Sequence, residues 1–258
     1  MDQRGPTGHD SPEWLYGVAP VEEALRAGRR RVREIWVASH RRDSRMRSLL
    51  SLARGLDVHR TNTLELSRLS RGGNHQGVVA LVDPFPWEEL EDLLWGRGPL
   101  VMLEGVQDPR NLGAILRSSV GMGAARVIME RRHSAPLTPV VAKAACGALE
   151  YVRMCAVSNL PMAMREVKRV GYWILGTSDS QGSVLWDADI PGEVAVVVGG
   201  EGSGLRRVVK RACDMWVRIP SEGAISTYNA SVAAAVVLYE LMRRRRPENV
   251  VDKAHGGS

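Results

Sequence analysis

The chain has 258 residues, 44% of them hydrophobic, which is enough to bury a core and excludes wholesale disorder. The net charge is +6, and Lys occurs only at positions 143, 168, 210 and 253, so the other basic residues are Arg, which grips phosphate bidentately and stacks on bases. Cys146, Cys155 and Cys213 show no C-x-x-C spacing, which argues against a disulfide framework or a metal site and for a reducing compartment. The longest apolar run, Ala230 to Leu238, is too short to cross a bilayer, so a cytoplasmic protein without a membrane partner is expected.

Residues 1–12 are polar with Gly and Pro and read as a disordered leader. "VAPVEEALRAG" reads as a helix closed by Gly28, "VREIWVA" as a strand and "SRMRSLLSLARG" as a helix ending at Gly55. "DVHRT" reads as a strand, "TLELSRLS" as a helix and "GVVALVD" as a strand, completing a small α/β unit over 13–83. Residues 84–99, "PFPWEELEDLLWGRGP", read as a linker carrying a helix. The pattern then restarts. Apolar strands are expected at "LVMLEGV", "ARVIME", "VRMCAV", "YWILGTS", "VAVVVGG" and "MWVRIP". Helices are expected at "NLGAILRSSVGMG", "TPVVAKAACGAL", "LPMAMREVKRVG", "SGLRRVVKRAC" and "SVAAAVVLYELMRRRR". Continuous Val/Ile/Leu strands alternating with helices predict an α/β fold with a mostly parallel sheet covered on both faces. This second unit is expected over 100–247, followed by a flexible tail over 248–258.

Three stretches carry chemistry. "VVVGGEGSGLRRV" is a strand entering a Gly-rich loop, but the sixth position counted from Gly200 is Leu205 and no Lys follows Gly204, so it is neither a dinucleotide fingerprint nor a P-loop. Its glycines allow close backbone approach at a carboxyl end of the sheet, and Glu201 disfavours phosphate there. A simple Gly-rich turn is the alternative. "EGVQDPRNLGAILRSS" again follows a strand and opens a helix. Asn111 reads either as an N-cap or as a site residue, and Arg117 either as a surface charge or as a group facing the strand ends. "RIPSEGAISTYNASVAAAVVLYE" places Thr227, Asn229 and Ser231 before a long apolar helix, more polar groups than one cap requires.

Together these stretches resemble the SpoU (TrmH-type) family of SPOUT RNA methyltransferases, over roughly Leu100 to Arg245. "DPRNLGAILRS" is similar to the first family motif, "VVVGGEGSGL" to the second and "IPSEGAISTYNASVAAAVVLYE" to the third. Thr227, Tyr228 and Ala230 replace the usual Ser, Leu and Val of the third motif. The N-terminal "YGVAPVEEAL…VREIWVA…HQGVVALV" is similar to the ribosomal-protein-like substrate-binding domain of the RlmB-type rRNA guanosine methyltransferases of this family.

The resemblance implies a trefoil knot in the C-terminal domain, a homodimer, and transfer of a methyl from S-adenosylmethionine to a ribose 2′-hydroxyl, with a guanosine of large-subunit rRNA as target. It implies a cofactor site at Gly199, Glu201, Ile219, Tyr228 and Asn229, with Thr177 added, and catalytic positions at Arg117, Asn111, Glu201, Asn229 and Ser231. A guanidinium is normally protonated, so Arg117 fits stabilisation of a developing alkoxide better than proton abstraction. Between Arg26 and Arg54 the acids are only Glu34 and Asp43, so Arg29, Arg30, Arg31, Arg41, Arg42 and Arg45 are candidates for RNA phosphate contact, a solvated face being the alternative. No DNA partner and no metal are expected. An rRNA adenosine, as in the thiostrepton-resistance enzymes, or a tRNA remain alternative targets. A non-catalytic RNA-binding assembly factor is an alternative class, and a Rossmann dehydrogenase is discouraged by the missing fingerprint.

Overall fold

The structure is a computed structural model that describes residues 11–200, 204–224 and 227–245. The N-terminal unit runs β1 (Glu13–Tyr16), α1 (Val18–Ala27), β2 (Val32–Ala38), α2 (Ser44–Leu52), β3 (Asp57–Thr61), α3 (Thr63–Leu69) and β4 (Val78–Val82). Its sheet has the order β1-β4-β2-β3, with β4 antiparallel to both neighbours and β2 parallel to β3. The helices start where the sequence supplies acceptors: Asp43 accepts from Met46 N–H at the head of α2, and Asn62 from Glu65 N–H at the head of α3. Strand β1 was not expected. Its four residues, EWLY, are too few to display a period, and pairing with β4 is what makes them a strand.

A short helix, α4 (Leu90–Leu94), occupies the linker. The second unit follows as β5 (Leu100–Glu104), α5 (Pro109–Gly121), β6 (Arg126–Glu130), α6 (Pro139–Ala144), a 3-10 turn (Ala148–Tyr151), β7 (Arg153–Val157), α7 (Leu160–Arg169), β8 (Trp173–Ser178), β9 (Ser183–Val184), β10 (Val194–Gly199), α8 (Arg207–Ala212), β11 (Met215–Arg218) and α9 (Ala230–Arg245). The sheet order is β7-β6-β5-β10-β8-β11-β9, and neighbouring strands run parallel. The period-two alternation along β5 explains its all-apolar reading. Val101 and Leu103 pack with α5, α6 and α9, while Leu100 and Met102 pack with α4 and α7 on the opposite face.

Two expected helices are shorter than their sequence patterns. The one read from Ser203 begins at Arg207, because the backbone N–H of Arg206 is bound by the Glu104 carboxylate and Gly204 takes a left-handed φ of 59°. The one read through Leu149 stops at Ala144, because Cys146 (φ 51°) and Gly147 (φ 89°) both turn left-handed.

The two units share one apolar core, from Leu15, Val18 and Val21 through to Val141, Ala145 and Leu149. At its edge Arg30 and Glu150 form a buried ion pair, with side chains 2% and 1% exposed, and Arg30 also reaches Glu13 at 3.2 Å. Arg29 donates to the Val152 carbonyl and to Glu88, Lys143 to the Asn74 carbonyl, and the Tyr151 hydroxyl to Glu23. The unit carrying α1 is therefore docked against the 3-10 turn by packing and by oriented charge. Replacing Glu150 with Ala leaves a buried guanidinium with only Glu13. It should destabilise the protein by roughly 3 kcal/mol, read as a lowered urea midpoint, and an unchanged midpoint would contradict the role given to this pair.

Candidate active site

The chain leaves β5 toward β6 and β7 on one side, and places β10, β8 and β11 on the other. The crevice beyond the carboxyl ends of β5 and β10 is thus the switch point at which open parallel sheets bind ligands. Here the two strand ends are joined directly: Gly200 N–H donates to the Glu104 carbonyl at 2.8 Å. A Cβ on Gly200 would fall 1.8 Å from the Gly105 carbonyl oxygen, and one on Gly199 would fall 2.8 Å from the backbone of Gly204. Only glycine permits this approach, so the Gly-Gly pair is a steric necessity at the mouth of the crevice.

The cleft beside that junction has a volume of about 650 Å³, within the range of small-molecule sites. Gly199, Ile219, Tyr228, Asn229 and Thr177 all line it, together with Asp179, Lys210 and Trp216. The Tyr228 hydroxyl donates to the Pro220 carbonyl at 3.0 Å, which holds the ring at the wall. Glu201, expected in both the cofactor and the catalytic sets, lies outside the described residues. Asp179 and Lys210 carry the charges that the sequence reading missed. Asp179 sits in the loop after β8 and Lys210 inside α8, and neither stretch has a local pattern that sets it apart.

The first and third motifs meet at the edge of this cleft. The cap of α5 is Asp108, which accepts from Arg110 N–H, so Asn111 is not the N-cap. Asn229 donates from Nδ2 to Asn111 Oδ1 at 3.1 Å across 118 residues of chain. The Oδ1 of Asn229 accepts from the backbone N–H and the hydroxyl of Ser231 at 2.8 and 2.6 Å, which fixes the amide orientation and caps α9. Arg117 stands apart, two turns along α5. It is exposed, its Nη1 lies 3.2 Å from Cys146 Sγ, and it makes no hydrogen bond to the asparagine pair. Cys146 belongs to the left-handed turn on which α1 packs, where a Cβ on Gly147 would meet the Glu23 side chain at 2.4 Å. Burial pushes the other thiols up, Cys155 to about 11 and Cys213 to about 12, which makes them inert.

The candidate RNA-facing arginines divide. Arg30 is buried on Glu150, and Arg29 is half-buried and engaged by Val152 and Glu88. Val152, Glu150 and Glu88 lie 59 to 123 residues from these arginines, beyond the reach of local sequence reading. Arg41 is held by Asp43 and by the Gln76 carbonyl. Arg31, Arg42 and Arg45 are exposed, Arg45 lying 3.9 Å from Glu22.

Comparison with known proteins places the chain in a family. The family model described as SpoU rRNA Methylase matches residues 98–239, and the one described as RNA 2′-O ribose methyltransferase substrate binding matches 14–87. Fold and site define an RNA ribose methyltransferase that carries its own substrate-binding unit. The chain belongs to the SpoU rRNA methylase family. The 23S rRNA (guanosine-2′-O-)-methyltransferase RlmB of Pseudomonas aeruginosa is 40% identical over 243 residues, covering 91% of this chain and 98% of the relative. The SpoU methyltransferase AviRb of Streptomyces viridochromogenes, solved in complex with AdoMet, superposes with a TM-score of 0.75 at 25% identity and covers 91% of each chain. The A. aeolicus TrmH/SpoU tRNA modifying enzyme covers 60% of this chain, with a TM-score of 0.52 at 26% identity.

Because the cleft mouth depends on contact between Gly200 and Gly105, Gly200→Ala must push the two strand ends apart. Calorimetry should then show at least a tenfold loss in affinity for S-adenosylmethionine, and unchanged affinity would contradict the assignment of this mouth.

Proposed function

We propose that this protein transfers the methyl group of S-adenosylmethionine to the ribose 2′-hydroxyl of a guanosine in large-subunit (23S) rRNA, in the cytoplasm and as a homodimer. The observation that carries the reading is the meeting of Asn111 with Asn229 and Ser231 at the lip of a nucleoside-sized cleft. The packing of α5 against α9 brings these two distant motifs together at the cleft. The two-unit layout, matched along nearly its whole length by RlmB proteins, favours rRNA over tRNA. Dimerisation is supported by α9, whose exposed Val232, Val236 and Tyr239 share one face at helical spacing. The trefoil knot implied by the family belongs to the same proposal.

The cleft suits the cofactor. Gly199, Ile219, Tyr228, Asn229 and Thr177 would hold it, much of the contact coming from backbone. Asp179 and Lys210 offer opposite charges to its ammonium and carboxylate ends. When bound, the cofactor supplies an electrophilic methyl on a sulfonium. A ribose hydroxyl is a poor nucleophile at neutral pH, so the protein must place it in line and stabilise the charge that develops on its oxygen. The asparagine pair, locked by Ser231, positions the ribose. Arg117, exposed beside Cys146, offers guanidinium N–H donors to the developing alkoxide.

The reading is tested by incubating the purified protein with methyl-labelled S-adenosylmethionine and a large-subunit rRNA transcript. Label should be recovered in alkali-resistant 2′-O-methylguanosine, and label on a base, or none, would contradict it. In the same assay Arg117→Ala should lower kcat by at least about 100-fold with cofactor affinity within twofold. Loss of cofactor binding with normal residual turnover would overturn the role of Arg117.

A further inference from the structure

The carboxyl rim of the seven-stranded sheet carries more than the cofactor cleft. A hollow of about 510 Å³ lies at the ends of β6 and β7, walled by Glu130, Arg132, His133, Asn159, Arg165 and Arg206. A smaller hollow of about 250 Å³ shares Glu130, His133 and Arg206 with it and adds Gln107 and Gly204. Gly204 also lines the cofactor cleft, and Gln107 directly precedes Asp108, the cap of α5. The two hollows thus adjoin through Glu130, His133 and Arg206, and Gly204 borders both the smaller one and the cleft, so a trough along the sheet rim runs from beside the cleft to the start of α7.

The charges of this trough are arranged for display. Glu104 and Glu130 have side chains only 3% and 6% exposed, while Arg206, which bridges them, is 50% exposed. Arg206 donates to both oxygens of Glu130 at 2.7 Å, and its backbone N–H donates to Glu104 at 2.8 Å. Two buried carboxylates thus hold one guanidinium at the rim, and raise its pKa further above the ordinary arginine value. Arg132 and Arg165 differ from Arg206 and from most arginines of the chain. Among the described residues neither makes an ion pair or a hydrogen bond, so each presents a complete set of donors to the hollow. Arg131 beside them is engaged only by the Ala156 carbonyl and has no acidic partner. The head of α7 opens into the same hollow, where Asn159 caps the Met162 N–H and the helix dipole adds positive potential.

We propose that this trough binds the phosphodiester backbone of the RNA segment flanking the methylated nucleotide, with Arg132 and Arg165 contacting phosphates directly. This rests on the methyltransferase reading above. It also accounts for a discrepancy. The arginine-rich stretch of the N-terminal unit looked like the phosphate surface, yet Arg30 is buried on Glu150, Arg29 is half-buried on Val152 and Glu88, and Arg41 is tied at the surface to Asp43 and the Gln76 carbonyl. Arg31, Arg42 and Arg45 stay exposed on that unit, and the rim of the catalytic unit adds Arg132 and Arg165 on a path that ends at the cleft.

The test uses the full-length double variant Arg132→Ala/Arg165→Ala, and a lysine counterpart, Arg132→Lys/Arg165→Lys. The probe is a transcript of the peptidyl-transferase region of large-subunit rRNA. Its Kd is measured over a salt series, alongside kcat and the affinity for S-adenosylmethionine. The alanine pair should weaken RNA binding on the order of tenfold and reduce the slope of log K against log salt by about 2 units, at about 1 per lost phosphate contact. Its kcat at saturating RNA and its cofactor affinity should stay within twofold, and the lysine pair should restore most of the salt slope. RNA affinity and slope equal to wild type in the alanine pair would overturn the proposal. So would a fall in kcat with unchanged RNA affinity, because the arginines would then act on the fold or the chemistry. If wild-type protein binds the transcript but transfers no methyl, the methyltransferase reading fails while the trough can still be judged from the binding series.

Discussion

The contact on which the rest of the site depends is the one between Gly200 and the end of β5. Two parallel strands normally diverge beyond their last hydrogen bond, but here Gly200 N–H continues the pairing onto the Glu104 carbonyl and its Cα lies against Gly105. That closure fixes where the Gly-rich loop begins, and so fixes one wall of the cleft. It also places Glu104 beside the returning chain, where the carboxylate takes both the backbone and the side chain of Arg206. One steric allowance thus sets the mouth of the cleft, delays the start of α8 to Arg207, and holds a guanidinium on the sheet rim.

Buried carboxylates recur as the means by which this chain directs its arginines. Glu150 draws Arg30 inward and ties the N-terminal unit to the turn that carries Cys146. Glu104 and Glu130 do the opposite and hold Arg206 outward. The physical logic is common to both. A buried carboxylate is tolerable only when paired, so its partner loses conformational freedom and keeps a defined direction. Net charge alone could not separate arginines that build the protein from arginines free to meet a polyanion. The partners decide it, and they lie far away in sequence.

That distance marks what was legible in the sequence. Six strands of the seven-stranded sheet were readable because most of them are buried on both faces and carry unbroken apolar runs, as in "LVMLE" and "VAVVV". The three motifs were readable because their spacing is specific, and they meet in the folded chain as Asn111, Asn229 and Ser231 with the cleft-lining Gly199, Ile219 and Tyr228. Strands β1 and β9 were not readable, since four and two residues carry no period and owe their form to a neighbour. Asp179, Lys210 and the contact of Arg117 with Cys146 had no local signal either. They are set by where loops return, which is a property of the whole topology.

The central claim, methylation of one guanosine ribose in large-subunit rRNA, is tested most directly by mass-spectrometric mapping of 2′-O-methyl nucleosides in that RNA from cells with and without this gene. The account predicts that a single 2′-O-methylguanosine disappears and that re-expression restores it. An unchanged methylation pattern would contradict the claim, and loss of a 2′-O-methyladenosine instead would contradict its assignment of the base.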